Sequence, residues 1–440
     1  MSLVFEKFPD GETFPVLVDE RGCPDLWVNM YLAVEMRPNC SFHTLRNSAR
    51  SLDHLRAFER VAKRDFAKEF AEANFLEPAD VKDLRDHCWL RWRVHDEFVA
   101  ARKKASRRAD PFVAVAPAVP PRVGAAYASA RMGDIQRFLI FVAETVLRRR
   151  LHEAPIRAAI DRMKTRLEAA RPAVGKSGQN DDPFMSAPEP QVFLRAIGLA
   201  DPANPANPWR SIVRKRNSLM FKILIATGMR LGELLSLRTD SRHLDLSSDH
   251  PEIRIRRVHS DKDPLDPRRT PPGQKTTERT LLITPALASE IEDYILTDRR
   301  DALPARKHNF LFVNHRRGAG WGAPVSYSGW GTLIGALQRT DAALYEEVRA
   351  HGFRHTFAYL FNKRIDEHNA KAGANPEPGF TVIDNKNREK VLMDVMGWTD
   401  PGSAEPYLRR YIKEVVDRVR LEQMEELSKF IYVPGCEVTA

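Results

Sequence analysis

Three features of the sequence predict a mainly α-helical chain in two domains, the second of them α+β. Over most of the 440 residues the apolar positions recur at helical spacing. One stretch, 171–183 (RPAVGKSGQNDDP), is polar, rich in Gly and Pro and without period, so it reads as a linker. Period-two alternation at 252–258 (EIRIRRV) and a β-branched run at 279–284 (RTLLIT) add a small antiparallel sheet to the second half. The length alone argues for more than one core, and 43% hydrophobic residues suffice to fill two.

In chain order, residues 1–40 form an N-terminal segment. Two apolar patches around Asp19-Glu-Arg-Gly22 (14–31) read there as a β-hairpin. A helical domain follows over 41–170. Ser41 is a helix N-cap, and Leu45, Leu52, Leu55 and Phe58 share one side of that helix, with arginines on the other. The run 79–101 is helical and dense in Arg, Lys and Trp. The Pro- and Ala-rich stretch 109–122 breaks the pattern. It resumes from Ala125 through Met132, Ile135, Phe138, Leu139, Phe141, Val142 and Val146, with a further helix over 156–170. Beyond the linker, 184–440 reads as one domain with helices at 191–197 and 212–226, the sheet, and helices again from Ser328.

Lys and Arg number 69 against 59 Asp and Glu, a net charge of +10 and a pI near 9.4, which favours a polyanionic partner. Cys23, Cys40, Cys88 and Cys436 are scattered, without a C-x-x-C pair for zinc or redox chemistry. The first residues lack the basic and apolar regions of a signal peptide, and there is no apolar run long enough to span a bilayer. The expectation is a soluble, cytoplasmic protein.

The chemistry concentrates in the last ninety residues. His351-Gly-Phe-Arg354 puts an imidazole and a guanidinium on one helical face, a pair able to grip an anion. Gly397-Trp398 and Tyr407-Leu-Arg-Arg-Tyr411 follow. A tyrosine hydroxyl beside such a pair brings together a nucleophile, a base and a phosphate clamp. Upstream, Arg230 and Glu233 lie in TGMRLGELLSL at a helix start, and Lys275 precedes the strand 279–284. Alone, each is an ordinary surface position.

In this order the motifs resemble those of the tyrosine recombinases, the phage integrase family of site-specific DNA recombinases: an Arg in T-G-x-R-x-x-E-L, a hairpin Lys, H-x-x-R, then Gly followed by His or Trp, and a Tyr nine residues on. The resemblance covers about 184–430. It implies a two-domain DNA clamp, with the first domain as a core-binding domain, double-stranded DNA as partner, self-association to a tetramer, accessory DNA-bending or partner recombinase proteins, and no metal, ATP or other cofactor. It implies Arg230, Lys275, His351, Arg354, Trp398 and Tyr407 as catalytic residues, with Glu233 orienting the site. By the resemblance, Tyr407 would form a 3′-phosphotyrosine, His351 would accept its proton, the arginines and Trp398 would hold the phosphate, and Lys275 would protonate the leaving 5′ oxygen.

Two features depart from the pattern. Tyr411 lies on the same helical face as Tyr407, although Pro406 at a helix start favours Tyr407. The interval from Arg354 to Trp398 is long, and 366–385 reads as an inserted loop. Ile412, Val415, Val416, Val419, Met424, Leu427 and Ile431 form an apolar stripe that packs on its own domain or, by the resemblance, on a neighbouring subunit. Other functions compatible with these residues are a type IB topoisomerase, a DNA-binding protein whose site has decayed, and a metal site at His351 and His355, which lacks the glutamate of H-E-x-x-H.

Overall fold

The structure is a computed structural model that describes residues 1–91, 122–174, 189–256, 263, 265–273, 277–374 and 382–431. The chain divides into two compact units, Met1–Lys176 and Ser177–Ala440. The first is helical with one hairpin, and the second is helical around a three-stranded antiparallel sheet.

In the first unit β1 (Ser2–Lys7) pairs antiparallel with β2 (Thr13–Val18), Ser2 opposite Val18 and Lys7 opposite Thr13. The hairpin of β1 and β2 therefore turns at 8–12, where Gly11 takes a φ of 88°; around Asp19–Gly22, where the sequence suggested the hairpin, the chain turns back onto a single antiparallel bridge, Val18 with Pro24, and no second strand forms. Local hydrogen bonds explain the difference. The Asp19 carboxylate accepts the N–H of Arg21 and of Cys23, both at 2.8 Å, which curls the chain after β2. Asp25 then caps Val28 N–H at 2.9 Å, so the second apolar patch becomes a helix, α1 (Leu26–Tyr31). Phe14 and Leu17 of β2 are buried in the same core as the helices.

Helix α2 (Phe42–Ala62) starts on Ser41, whose hydroxyl accepts Thr44 N–H, and buries Leu45, Leu52, Leu55 and Phe58. Short α3 (Phe66–Ala71) and α4 (Pro78–Cys88) follow. The helix expected over 79–101 ends at Cys88, and Leu90 instead bridges Arg122; residues 92–101, and most of the Pro- and Ala-rich stretch, lie outside the described residues. Helix α5 (Ala125–Val146) runs through the centre, burying Met132, Ile135, Phe138, Leu139 and Val142, and α6 (Ala154–Ala169) closes this core.

The second unit begins with α7 (Pro190–Ala200) and the long apolar α8 (Ser211–Thr227), followed after a turn by α9 (Leu231–Ser236). Strands β3 (Leu244–Asp245), β4 (Glu252–Ile255) and β5 (Arg279–Leu282) pair in that order, with Ile255 opposite Arg279. Strand β4 covers Glu252–Ile255 of the alternation expected over 252–258, and residues 257 and 258 lie outside the described residues. Helices α10 (Pro285–Tyr294), α11 (Tyr327–Gln338) and α12 (Ala342–Tyr345) lead to α13 (Ala350–Ala374), α14 (Asn385–Met396) and α15 (Glu405–Ile431). The inserted loop expected over 366–385 is in its first part helix: α13 continues to Ala374. Asn369 then ties the far side back through paired hydrogen bonds with Ile383 of 2.8 and 2.9 Å. Residues 375–381 lie outside the described residues.

Phe221 of α8 organises this core. Its ring meets Trp209 and Trp330 at 5.6 Å and Phe353 at 4.9 Å, and Phe353 meets Phe193 at 5.0 Å. Phe353 belongs to the first turn of α13, between His351 and Arg354, so the packing that fills the core also fixes that turn. Phe221→Ala is expected to lower the unfolding free energy by about 3–5 kcal/mol, read from the urea midpoint.

Candidate active site

Arg354 is 1% exposed, and the environment around its guanidinium builds the site. Nη1 donates to Gly228 O at 2.6 Å and Nη2 to Met396 O at 2.7 Å. Both carbonyls lie at helix ends, of α8 and α14, where the backbone presents its negative pole to a cation. Gly228 and Gly397 both take left-handed conformations, φ 61° and 66°, that close these helices. At Gly228 a Cβ would also stand 2.3 Å from the Phe357 ring. Burial first, then the nearby Arg230, push the Arg354 pKa down to about 10, which leaves it charged at neutral pH.

Tyr407 is the third residue of α15, and its side chain is 7% exposed. Its hydroxyl lies 3.2 Å from His351 Nε2. The ring stacks on His355 at 4.0 Å and 14°, meets Trp398 at 4.6 Å, and lies 5.7 Å from the Arg354 guanidinium carbon. Trp398 in turn lies 5.1 Å from that carbon. His351 keeps one side open to solvent while its ring edge is enclosed by Tyr407 and His355. Desolvation of that edge, then Arg354 and Arg230, hold its pKa down, to about 4. The imidazole is thus neutral at pH 7 and able to accept a proton.

Arg230 is the N-cap of α9, one turn of chain past Gly228. Its backbone N–H donates to Glu233 at 2.8 Å. Glu233 is 1% exposed, and its two oxygens take Arg279 Nη1 and Nη2 at 3.2 and 2.9 Å, while Arg279 Nε reaches Val395 O at 2.8 Å. The pair ties α9, β5 and α14 together beneath the site. Sequence reasoning missed Arg279; the signal was its inward phase with Leu281 on the alternating strand.

Lys275 lies outside the described residues. The positions flanking it are anchored at the site's rim. Gly273 O packs so close to Gly232 that a Cβ there would stand 2.2 Å from it, and Thr277 N–H donates to Gly397 O at 3.3 Å. Tyr411 faces other partners: its hydroxyl bonds Asp366 and Arg388. The structure therefore brings Arg230, His351, Arg354, Trp398 and Tyr407 together, with Glu233 behind them.

Three buried N–H donors around Tyr407 have no hydrogen-bond partner among the described residues: Arg230 Nη1, Arg354 Nε and Trp398 Nε1. Buried donors are normally satisfied, so three beside one phenol suit an oxyanion. No group of three or more His, Cys, Asp or Glu side chains that could hold a metal occurs among the described residues, and none of their helices is long and apolar enough to cross a membrane.

An anion cradle around a tyrosine–histidine pair can carry out phosphoryl transfer to protein. Residues 206–371 match the model of the phage integrase family, a stretch that contains Arg230, Glu233, His351 and Arg354. It is 26% identical over 143 residues to the tyrosine recombinase XerD of Halalkalibacterium halodurans, which covers 32% of this chain and 39% of XerD. The chain thus spans about two fifths of that curated relative's length. Among solved structures, the Tn1549 transposon integrase in complex with transposon right end DNA is 16% identical with a TM-score of 0.44, covering 91% of this chain and 99% of that one. The XerH site-specific recombinase bound to palindromic difH substrate, a post-cleavage complex, is 15% identical with a TM-score of 0.38, covering 79% and 93%.

Glu233→Gln leaves the buried Arg279 guanidinium without its counter-charge. It is expected to destabilise the second unit by about 3 kcal/mol, seen as a lower urea midpoint.

Proposed function

We propose that the chain is a site-specific DNA recombinase that cuts and rejoins strands of double-stranded DNA through a 3′-phosphotyrosine on Tyr407, serving integration or excision of a mobile element. The observation that carries the proposal is the Tyr407 hydroxyl at 3.2 Å from a neutral His351, ringed by the three partnerless donors of Arg230, Arg354 and Trp398.

The steps follow from the residues. The Tyr407 oxygen attacks the scissile phosphorus while His351 Nε2 takes the phenolic proton. The usual phenol pKa of about 10 makes such an acceptor necessary. Negative charge grows on the non-bridging oxygens, where Arg230 and Arg354 donate charge-assisted hydrogen bonds and the Trp398 indole N–H a neutral one. The P–O5′ bond breaks, and the 5′ oxygen takes a proton from Lys275. Attack of a 5′ hydroxyl on the phosphotyrosine reverses every transfer, so the phosphodiester energy is kept and no cofactor is consumed. Glu233 and Arg279 hold Arg230 and the strand after Lys275 in register.

The same reading has the basic surface, part of the net charge of +10, holding DNA phosphates, so binding falls steeply with salt. Four protomers joining two sites are part of it, as are accessory DNA-bending proteins and residence in the cytoplasm with the nucleoid. Ile412, Val416, Val419 and Met424 are all exposed in the single chain and suit a face covered by a neighbouring protomer. A type IB topoisomerase would share the tyrosine chemistry; synapsis of two sites separates the two.

Incubation with a nicked duplex, its sequence selected by the protein from a random pool, is expected to give a covalent adduct that peptide mapping places on Tyr407. Tyr407→Phe is expected to give none; an adduct on Tyr411 overturns the assignment. Adduct formation is also expected to depend on pH. His351 accepts protons only when neutral, its pKa is held near 4 in the free protein, and a bound phosphate raises it toward the ordinary 6.5. The single-turnover rate is therefore flat above neutrality and falls on acidification, with a midpoint between those values. In His351→Ala that acid limb disappears and the plateau drops by roughly 10²- to 10⁴-fold.

A further inference from the structure

Two features of the sequence have no part in chemistry at Tyr407: the second phenol, Tyr411, and the extra residues between Arg354 and Trp398. The structure joins them. Helix α13 continues past its core-facing turns and carries Asp366, and Arg388 stands in the first turn of α14. Between them the Tyr411 hydroxyl donates to the Asp366 carboxylate, 2.8 and 2.7 Å from its oxygens, and accepts from Arg388 Nη1. Arg388 also ion-pairs with Asp366, and its guanidinium carbon lies 5.1 Å from the Tyr411 ring centroid. Arg388 is 9% exposed. Donor and acceptor capacity of the Tyr411 hydroxyl are both in use, and burial with the Asp366 bond holds its proton on.

We propose that Asp366, Arg388 and Tyr411 form a polar latch that positions the nucleophile helix, setting the reach of Tyr407. The inference rests on Tyr407 being the nucleophile. Among the described residues, apolar anchorage of α15 gathers at its start: Tyr407 and Leu408, with Ala404 just before the helix, pack with Ala358, Leu392, Met396 and Trp398. One and two turns further on, Ile412, Val416 and Val419 are exposed. A helix held by its first turn alone can pivot and roll, and an in-line attack tolerates little of either. Tyr411 lies one turn beyond Tyr407 on the same face, about 6 Å along the axis. Hydrogen bonds to a charged pair are directional, so they fix the roll of the helix where apolar contact would not. Glu414 and Arg410 add further fixtures: Glu414 accepts from Tyr359 at 2.7 Å with Lys363 at 3.4 Å, both on α13, and Arg410 pairs with Glu189 at the start of α7. Tyr411 is on this view a positioning residue, and the lengthened α13 exists to carry its partner.

The test uses the full chain and the variants Tyr411→Phe, Asp366→Asn and their double. Without DNA, amide hydrogen exchange over 405–414 is expected to speed up at least about tenfold in all three, while the rest of the second unit exchanges as in the wild type. On the selected nicked duplex, single-turnover cleavage is expected to slow roughly 10- to 100-fold, with unchanged DNA affinity and the adduct still on Tyr407. The double variant should be no slower than the slower single, since all three lose the same bond. Unchanged exchange over 405–414 overturns the latch, as do wild-type cleavage rates or losses that multiply in the double variant. Faster exchange in variants of a wild-type protein that forms no adduct would support the latch and strike only the recombinase reading.

Discussion

The buried guanidinium of Arg354 is the interaction on which the second unit depends. It is almost wholly out of water, forms no ion pair with a carboxylate among the described residues, and its Nη1 and Nη2 donate to the carbonyls that end α8 and α14. Those carbonyls are available because Gly228 and Gly397 end their helices in a left-handed turn. One side chain thus fastens the helix preceding Arg230 to the helix preceding Trp398, while its own helix supplies His351. The third edge, Nε, is left for something else.

That arrangement is electrostatically costly as it stands. Arg230 and Arg354 repel each other and together depress the His351 pKa. Glu233, the nearest buried carboxylate, is already engaged by Arg279. On the proposed function, a phosphate diester entering between the guanidiniums would relieve the repulsion, engage the donors of Arg230, Arg354 and Trp398, and make His351 a better base in the same event. The site is strained toward its ligand, as a transition-state-complementary pocket has to be.

The grouping of Arg230, His351, Arg354, Trp398 and Tyr407 was legible in the sequence because these residues lie in fixed local frames. Arg230 follows a glycine turn, His351 and Arg354 are three apart on one helix, and Trp398 and Tyr407 flank a short turn; each spacing determines a geometry. Contacts between distant segments were not legible. Arg279 is separated from Glu233 by 46 positions and Tyr411 from Asp366 by 45, and nothing in either stretch marks its partner. An arginine opening a strand and a tyrosine after a helix start look like surface. The N-terminal hairpin was misplaced for a local reason, since Asp19 and Asp25 compete for backbone N–H groups and turn an apparent second strand into α1. The long interval after Arg354 looked like a loop because Gly and Pro cluster only in its later half, whereas its first half simply continues α13.

The most direct measurement is a structure of the protein on a nicked duplex with vanadate at the cleavage point, where vanadate adopts the trigonal-bipyramidal shape of the phosphoryl transition state. Arg230, Arg354 Nε and Trp398 Nε1 should lie on its equatorial oxygens with the Tyr407 oxygen at one apex, while Arg354 keeps both carbonyl bonds. Vanadate bound away from Arg354, or with the Tyr407 hydroxyl still turned to His351 and no phenol at the apex, would contradict it.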